Sequence, residues 1–116
     1  MLEIWARPSR PPHENSAAFL RVKNSGGIPL QLLSASTPRA AITELHSMEL
    51  VDDTMKMRRV DSFSIAVGET LVLEPGGNHL MFFELDQPWI DGESIPITLE
   101  FSEGHTLKMQ ATVKVQ

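Results

Sequence analysis

The sequence contains no cysteine. No disulfide can staple the fold, and thiol nucleophiles, thiol redox chemistry and thiolate metal sites are excluded. The absence does not fix the compartment, because a domain of 116 residues can stand on its own core. Any metal ion must therefore be held by His, Met, Asp or Glu. Basic residues are scarce: 10 Lys and Arg stand against 15 Asp and Glu, a net charge of -5. That argues against a nucleic-acid partner, which demands a basic footprint, and leaves no polybasic patch for a membrane surface. Long apolar runs are missing too. Leu80-Met81-Phe82-Phe83 is typical, far short of the ~20 apolar residues of a membrane span. No secretory apolar region follows Met1, which runs straight into Leu2-Glu3-Ile4-Trp5. This leaves open a cytoplasmic protein or one whose leader has been removed. No Gly-x-Ser-x-Gly or other nucleophile motif occurs, so a hydrolase is not indicated.

What is present is a succession of short stretches of strand character: Ala17–Asn24, Leu30–Thr37, Ala41–Leu50, Met55–Val60, Glu69–Glu74, His79–Leu85, Ile95–Phe101 and Thr106–Val115. A further strand is expected around Trp5. The segment from Pro8 to Asn15 is a loop, because its three prolines forbid a helix or a central strand. Turn signals separate the strands: Asn24-Ser25-Gly26-Gly27, Asp52-Asp53, Val67-Gly68, Pro75-Gly76-Gly77-Asn78, Asp91-Gly92 and Glu103-Gly104. No window carries a sustained 3.6-residue apolar period, and there is no internal repeat or linker. The pattern predicts one all-β domain over residues 1–116, an antiparallel β-sandwich.

One predicted hairpin bears on chemistry. If Asp52-Asp53 form a two-residue turn, Val51 faces Thr54, and the register of the two flanking strands follows. Leu50 then faces Met55, Glu49 faces Lys56, Met48 faces Met57 and His46 faces Arg59. The Glu49–Lys56 pair favours this register. Strand alternation puts His46, Met48, Met55 and Met57 on one face, with His46 diagonal to Met57. A slip by one residue would separate the set.

Two imidazoles and four thioethers fall between residues 46 and 81: His46, Met48, Met55, Met57, His79 and Met81. His46-Ser47-Met48 and His79-Leu80-Met81 share a His-x-Met spacing. On a strand, residues two apart point the same way, about 7 Å apart at Cα, so both side chains can converge on one ion. His79 follows Pro75-Gly76-Gly77-Asn78, where a loop enters a strand, a usual place for function. Thioethers are soft, neutral ligands. With imidazole they suit Cu(I) far better than Zn(II), Mg(II) or Ca(II). Methionine is also a common core filler, and a lone His-x-Met means little. Two such pairs plus Met-x-Met carry more weight, but the pattern alone leaves both a copper site and a methionine-rich core open.

At these residues the sequence resembles the periplasmic copper chaperone family known as PCuAC. The family signature is His, ten residues, Met, twenty-one residues, His, one residue, Met. Here His46, Met57, His79 and Met81 stand at those spacings, and Met48 matches the optional methionine after the first histidine. Glu44-Leu45-His46, Met55-Lys56-Met57-Arg58, Leu73-Glu74-Pro75-Gly76-Gly77-Asn78-His79-Leu80-Met81 and Trp5-Ala6-Arg7 agree as well. The resemblance implies a cupredoxin-like Greek-key β-sandwich, a periplasmic location and one Cu(I) held near the surface. It implies His46, Met57, His79 and Met81 as ligands; Met48, which faces Met57 in the predicted register, and Met55 are expected to be auxiliary. It implies delivery of copper toward the binuclear copper centre of cytochrome c oxidase. The copper-accepting partner would be the oxidase copper subunit or a Sco-type assembly protein. Many members carry a His/Met-rich C-terminal tail, which the stretch up to Gln116 lacks.

The expected function is carriage of copper, not catalysis. A blue-copper redox protein is disfavoured by the missing thiolate. The alternative is a β-sandwich interaction module with a methionine-rich core and no metal. His13 in the proline-rich loop and His105 in a Glu-Gly-His turn are expected to be solvated, and Met109 to pack in the core. Trp5 and Trp89 are read as packing residues.

Overall fold

The computed structural model of the chain describes residues 2–9 and 15–115. Its strands are β1 (Leu2–Ala6), β2 (Ser16–Lys23), β3 (Leu30–Ser36), β4 (Ala40–Val51), β5 (Thr54–Val60), β6 (Phe63–Ile65), β7 (Thr70–Leu73), β8 (His79–Leu85), β9 (Ser94–Phe101) and β10 (Thr106–Val113). The one helical piece among the described residues is a 3-10 turn at Ser102–Gly104. All the strands expected from sequence are present, with ends shifted by at most two residues. The three-residue β6 is an addition. The expected loop between Pro8 and Asn15 falls mostly on residues 10–14, and with His13 it lies outside the described residues.

The strands form one continuous ladder in the order β5-β4-β8-β2-β1-β10-β9-β3-β6, with β7 pairing on β2. β2 is shared: its first half, Ser16 to Ala18, pairs with β8, and its second half, Leu20 to Lys23, pairs with β7. The Pro75–Asn78 turn that joins β7 to β8 sits where the ladder changes hands. The ladder folds over itself, bringing β3 alongside β4 and β6 alongside β7, which closes the two layers of the sandwich. One pairing departs from the antiparallel expectation: β1 runs parallel to β10, with Trp5 opposite Thr112 and Ala6 opposite Val113.

Strand alternation divides the residues cleanly between two faces. Ile95, Ile97, Leu99 and Phe101 of β9 all point inward, as do Leu45 of β4, Ala18, Leu20 and Val22 of β2, and Leu80 and Phe82 of β8. Trp89 lies fully buried among them, its ring 5.1 Å from that of Phe82. Each such Leu, Ile or Phe contributes about 1.5–3 kcal/mol by leaving water. The neighbours of these residues in sequence must then point outward. For β4, β8 and β2 the residues on that face are Glu44, His46 and, two further on, Met48, then His79 and Met81, and Ala17 and Phe19. The core therefore fixes, by parity alone, which side chains share the outer face.

Candidate metal centre

The β4–β5 hairpin turns on Asp52 and Asp53, whose φ angles are 51° and 64°. Positive φ at both central residues is the mirror-image type I turn that suits the twist of a hairpin, and Asp tolerates it better than most residues do. The register is the expected one: Val51 with Thr54, Leu50 with Met55, Glu49 with Lys56, Met48 with Met57 and His46 with Arg59. On the other side of β4, His46 pairs with His79 and Glu44 with Met81. Three adjacent strands thus bring His46, Met48, Met57, His79 and Met81 to one patch of the outer face.

Met48, Met57, His79 and Met81 line an open cleft of about 390 Å³, together with Arg7, Phe19, Gly76 and Gly77. Met55 lies on the same face but two pairs nearer the turn, and it does not line the cleft. Half of the Met57 side chain is exposed (50%), and Met55 is similar (52%). Neither fills the core. Among the described methionines only Met109 packs against it, as expected. The methionine-rich core of the alternative reading is thereby corrected: parity puts these thioethers on the far side of the sheet. His105 is exposed, also as expected.

One expectation needs revision. A set lying wholly near the surface would leave His46 accessible, yet His46 is buried, with 5% of its surface exposed. It does not line the cleft. Its ring lies 5.5 Å from the His79 ring and 6.1 Å from that of Phe83. Phe19, buried apart from the main core, lies 6.4 Å from His79 and packs on Trp5 at 4.5 Å. The Arg7 guanidinium covers the Phe19 ring at 5.1 Å. The imidazoles therefore sit against a small aromatic cluster; of the thioethers, Met57 is exposed and Met48 and Met81 are half-buried at the cleft.

Each imidazole is held by one nitrogen. His46 Nε2 lies 2.7 Å from Glu44 Oε1. His79 Nδ1 lies 3.0 Å from the Gly77 carbonyl oxygen. Carboxylate and carbonyl oxygens only accept, so the nitrogen facing each carries the proton, and the other nitrogen of a neutral ring keeps its lone pair. In His46 that free nitrogen, Nδ1, is fully buried and has no hydrogen-bond partner among the described residues. Leaving a buried acceptor unpaired costs about 1–3 kcal/mol, a penalty that a bound ion would remove. The loop that supplies the Gly77 carbonyl is itself tied down. The Met48 N–H donates to Asn78 Oδ1 at 3.2 Å, and Gly76 takes a φ of +81°, which favours glycine.

The donor set is soft and neutral. Among the described residues no group of three or more His, Asp or Glu side chains converges as a hard-ion site would require. Imidazole plus thioether, with no thiolate, fits Cu(I). Neither Glu44 nor Gly77 carries a ligand-type signal in the sequence. Glu44-x-His46 is a same-face strand spacing, and that was the available signal.

The LpqE-like family, described as lipoproteins, matches residues 1–113. The chain belongs to the LpqE-like family. It is 36% identical over 100 residues to Lxx21020 of Leifsonia xyli subsp. xyli (strain CTCB07), a protein named as a lipoprotein. That match takes in 85% of this chain and 60% of the relative, so the chain spans less than two thirds of the relative's length. The solution structure of CuI-DR1885 from Deinococcus radiodurans is 32% identical with a TM-score of 0.76, over 98% of this chain and 76% of that one. The apo form of DR1885 gives 30% identity and a TM-score of 0.74. The copper-bound PCuAC domain from PmoF2 shares the fold, with a TM-score of 0.82 at 18% identity over 99% and 92% of the two chains. The resemblance to PCuAC proteins and the cupredoxin-like sandwich expected from sequence are both borne out.

Proposed function

We propose that this LpqE-like domain is a Cu(I) carrier, with His46, Met57, His79 and Met81 as its ligands. The observation that carries this reading is the meeting, on one outer face, of two imidazoles with a nitrogen to spare and three thioethers lining an open cleft. Thioethers gain little by facing water, so three that converge on an open cleft, Met57 exposed and Met48 and Met81 half-buried, suit a partner such as a soft monovalent cation. DR1885, a relative at 32% identity whose CuI form has been solved, points the same way. Met48 is the auxiliary ligand, opposite Met57 and in the same cleft; Met55, nearer the turn, is a more distant reserve.

The chain works as a single domain and carries copper without turning over a substrate. A cleft that opens to solvent suits transfer to another protein. On the PCuAC resemblance, the acceptor is the copper subunit of cytochrome c oxidase or a Sco-type assembly protein. The family's description as lipoproteins supports a location outside the cytoplasm, periplasmic or its equivalent. Among the described residues no helix is long and apolar enough to cross a membrane.

Titration of the purified protein with Cu(I) against a chromogenic Cu(I) chelator tests the reading. One Cu(I) per chain is expected, with Zn(II) bound far more weakly. A stoichiometry near zero, or equal affinity for Zn(II), would overturn it.

A further inference from the structure

Building on the copper-carrier reading, we propose that Glu44 is a positioning residue. Its carboxylate holds the Nε2–H of His46 and so presents Nδ1 as that residue's donor nitrogen, whereas the Gly77 carbonyl presents His79 through Nε2. The two imidazoles would then ligate through different nitrogens. Three observations carry this. The Glu44–His46 contact is short, 2.7 Å, and is made from a buried ring. The other nitrogen of His46 is buried and has no hydrogen-bond partner among the described residues. His79 is held the opposite way round, through Nδ1 at 3.0 Å from Gly77.

The hairpin explains why Glu44 can do this. Residues 44 and 46 lie two apart on β4 and so share a face. Across the ladder Arg59 pairs with His46, and its guanidinium nitrogen comes within 4.0 Å of Glu44 Oε2. The second carboxylate oxygen thus has a cation beside it, while the first faces the imidazole. A chain of contacts runs from Arg59 on β5 through Glu44 to His46. A carboxylate behind a ligating histidine fixes the tautomer and the ring orientation, and it raises the basicity of the free nitrogen. Losing such a partner typically costs about 10- to 100-fold in metal affinity.

The experiment uses the whole chain with 15N-labelled histidine, at a pH near 8 where a free imidazole is neutral. Long-range 1H–15N correlation spectra of the metal-free protein read the tautomers. We expect His46 protonated at Nε2 and His79 at Nδ1. Adding Cu(I) should then shift His46 Nδ1 and His79 Nε2 and leave the protonated nitrogens in place. Glu44→Leu should lose the protected Nε2–H signal of His46 and weaken Cu(I) by roughly 10- to 100-fold. Glu44→Gln keeps an acceptor oxygen and should restore most of the affinity. Cu(I) bound through His46 Nε2, or full affinity in a folded Glu44→Leu protein, overturns the role of Glu44 and leaves the copper reading standing. A wild type that takes up no Cu(I) overturns both. The tautomer spectra need no variant, so a Glu44→Leu protein that fails to fold does not block the test.

Discussion

Met57→Leu separates a ligand from a packing residue more sharply than any other substitution in the site. It keeps volume and apolarity and removes only the sulfur. Met57 is half exposed on the edge strand β5, outside the core, so the change should cost under about 0.5 kcal/mol of stability. For a domain of this size that is a shift in Tm of roughly 2 °C. The effect on copper should be far larger. Structural zinc sites bind with about 10–16 kcal/mol; taken as a scale for a four-ligand site, that is roughly 2.5–4 kcal/mol per ligand. That corresponds to roughly 60- to 700-fold in Kd. Met48 sits directly opposite Met57 and lines the same cleft, so part of the loss is recovered. The expected weakening is about 10- to 100-fold. Competition against a Cu(I) chelator, with a thermal melt on the same sample, measures both quantities. Unchanged affinity would show that Met57 is not a ligand. Met48→Leu should cost less affinity than Met57→Leu, and the opposite ranking would contradict the assignment of Met48 as auxiliary.

His46→Ala should weaken Cu(I) binding and cost only about 0.5–2 kcal/mol of stability, because the packing lost with a buried ring is partly offset by removal of its unpaired Nδ1; a larger loss of stability with copper binding unchanged would make His46 a packing residue and not a ligand. Arg39, in the turn just before β4, bonds Asp86 at 2.8 Å and Glu93 at 2.9 Å, and these hydrogen bonds hold both carboxyls below their ordinary range. The stabilisation is therefore full above the ordinary carboxylate pKa, about 4, and is lost as pH falls through the lowered values. Both carboxylates are partly exposed, so Arg39→Ala should cost only about 0.5–1.5 kcal/mol at neutral pH and nothing in strong acid, read from urea unfolding across that range.

Much of this architecture is legible in the sequence because it is local. A hairpin with a two-residue turn has one register, and Asp52-Asp53 supplies residues that accept positive φ. Once Leu45 and Leu80 are assigned to the core, alternation sends His46, His79 and Met81 to the opposite face with no further information. What the sequence conceals is non-local. β6 holds only three residues and is a strand because β3 lies beside it. The parallel pairing of β1 with β10 joins the two ends of the chain, and no local signal marks it. The burial of His46 is of the same kind. It arises from rings brought in from β8, and from Glu44, whose spacing was visible but whose distance was not.

The two halves of the site differ in how firmly they are held, and that bears on how a carrier could both keep and release its ion. The imidazoles are fixed before any metal arrives. Each commits one nitrogen to a hydrogen bond, and His46 is buried beside aromatic rings. The thioethers have no such restraint, and Met57 stands on an edge strand with half its surface in water. A methionine must surrender rotamer freedom to ligate, a cost on the order of 1.5–2 kcal/mol when it is fully immobilised, whereas a pre-oriented imidazole has already met its own during folding. On the copper-carrier reading the weakest-held ligand is therefore also the most accessible one. An acceptor approaching the cleft would meet sulfur first. It could replace Met57 while His46 and His79 still hold the ion, so copper need never pass through free solution.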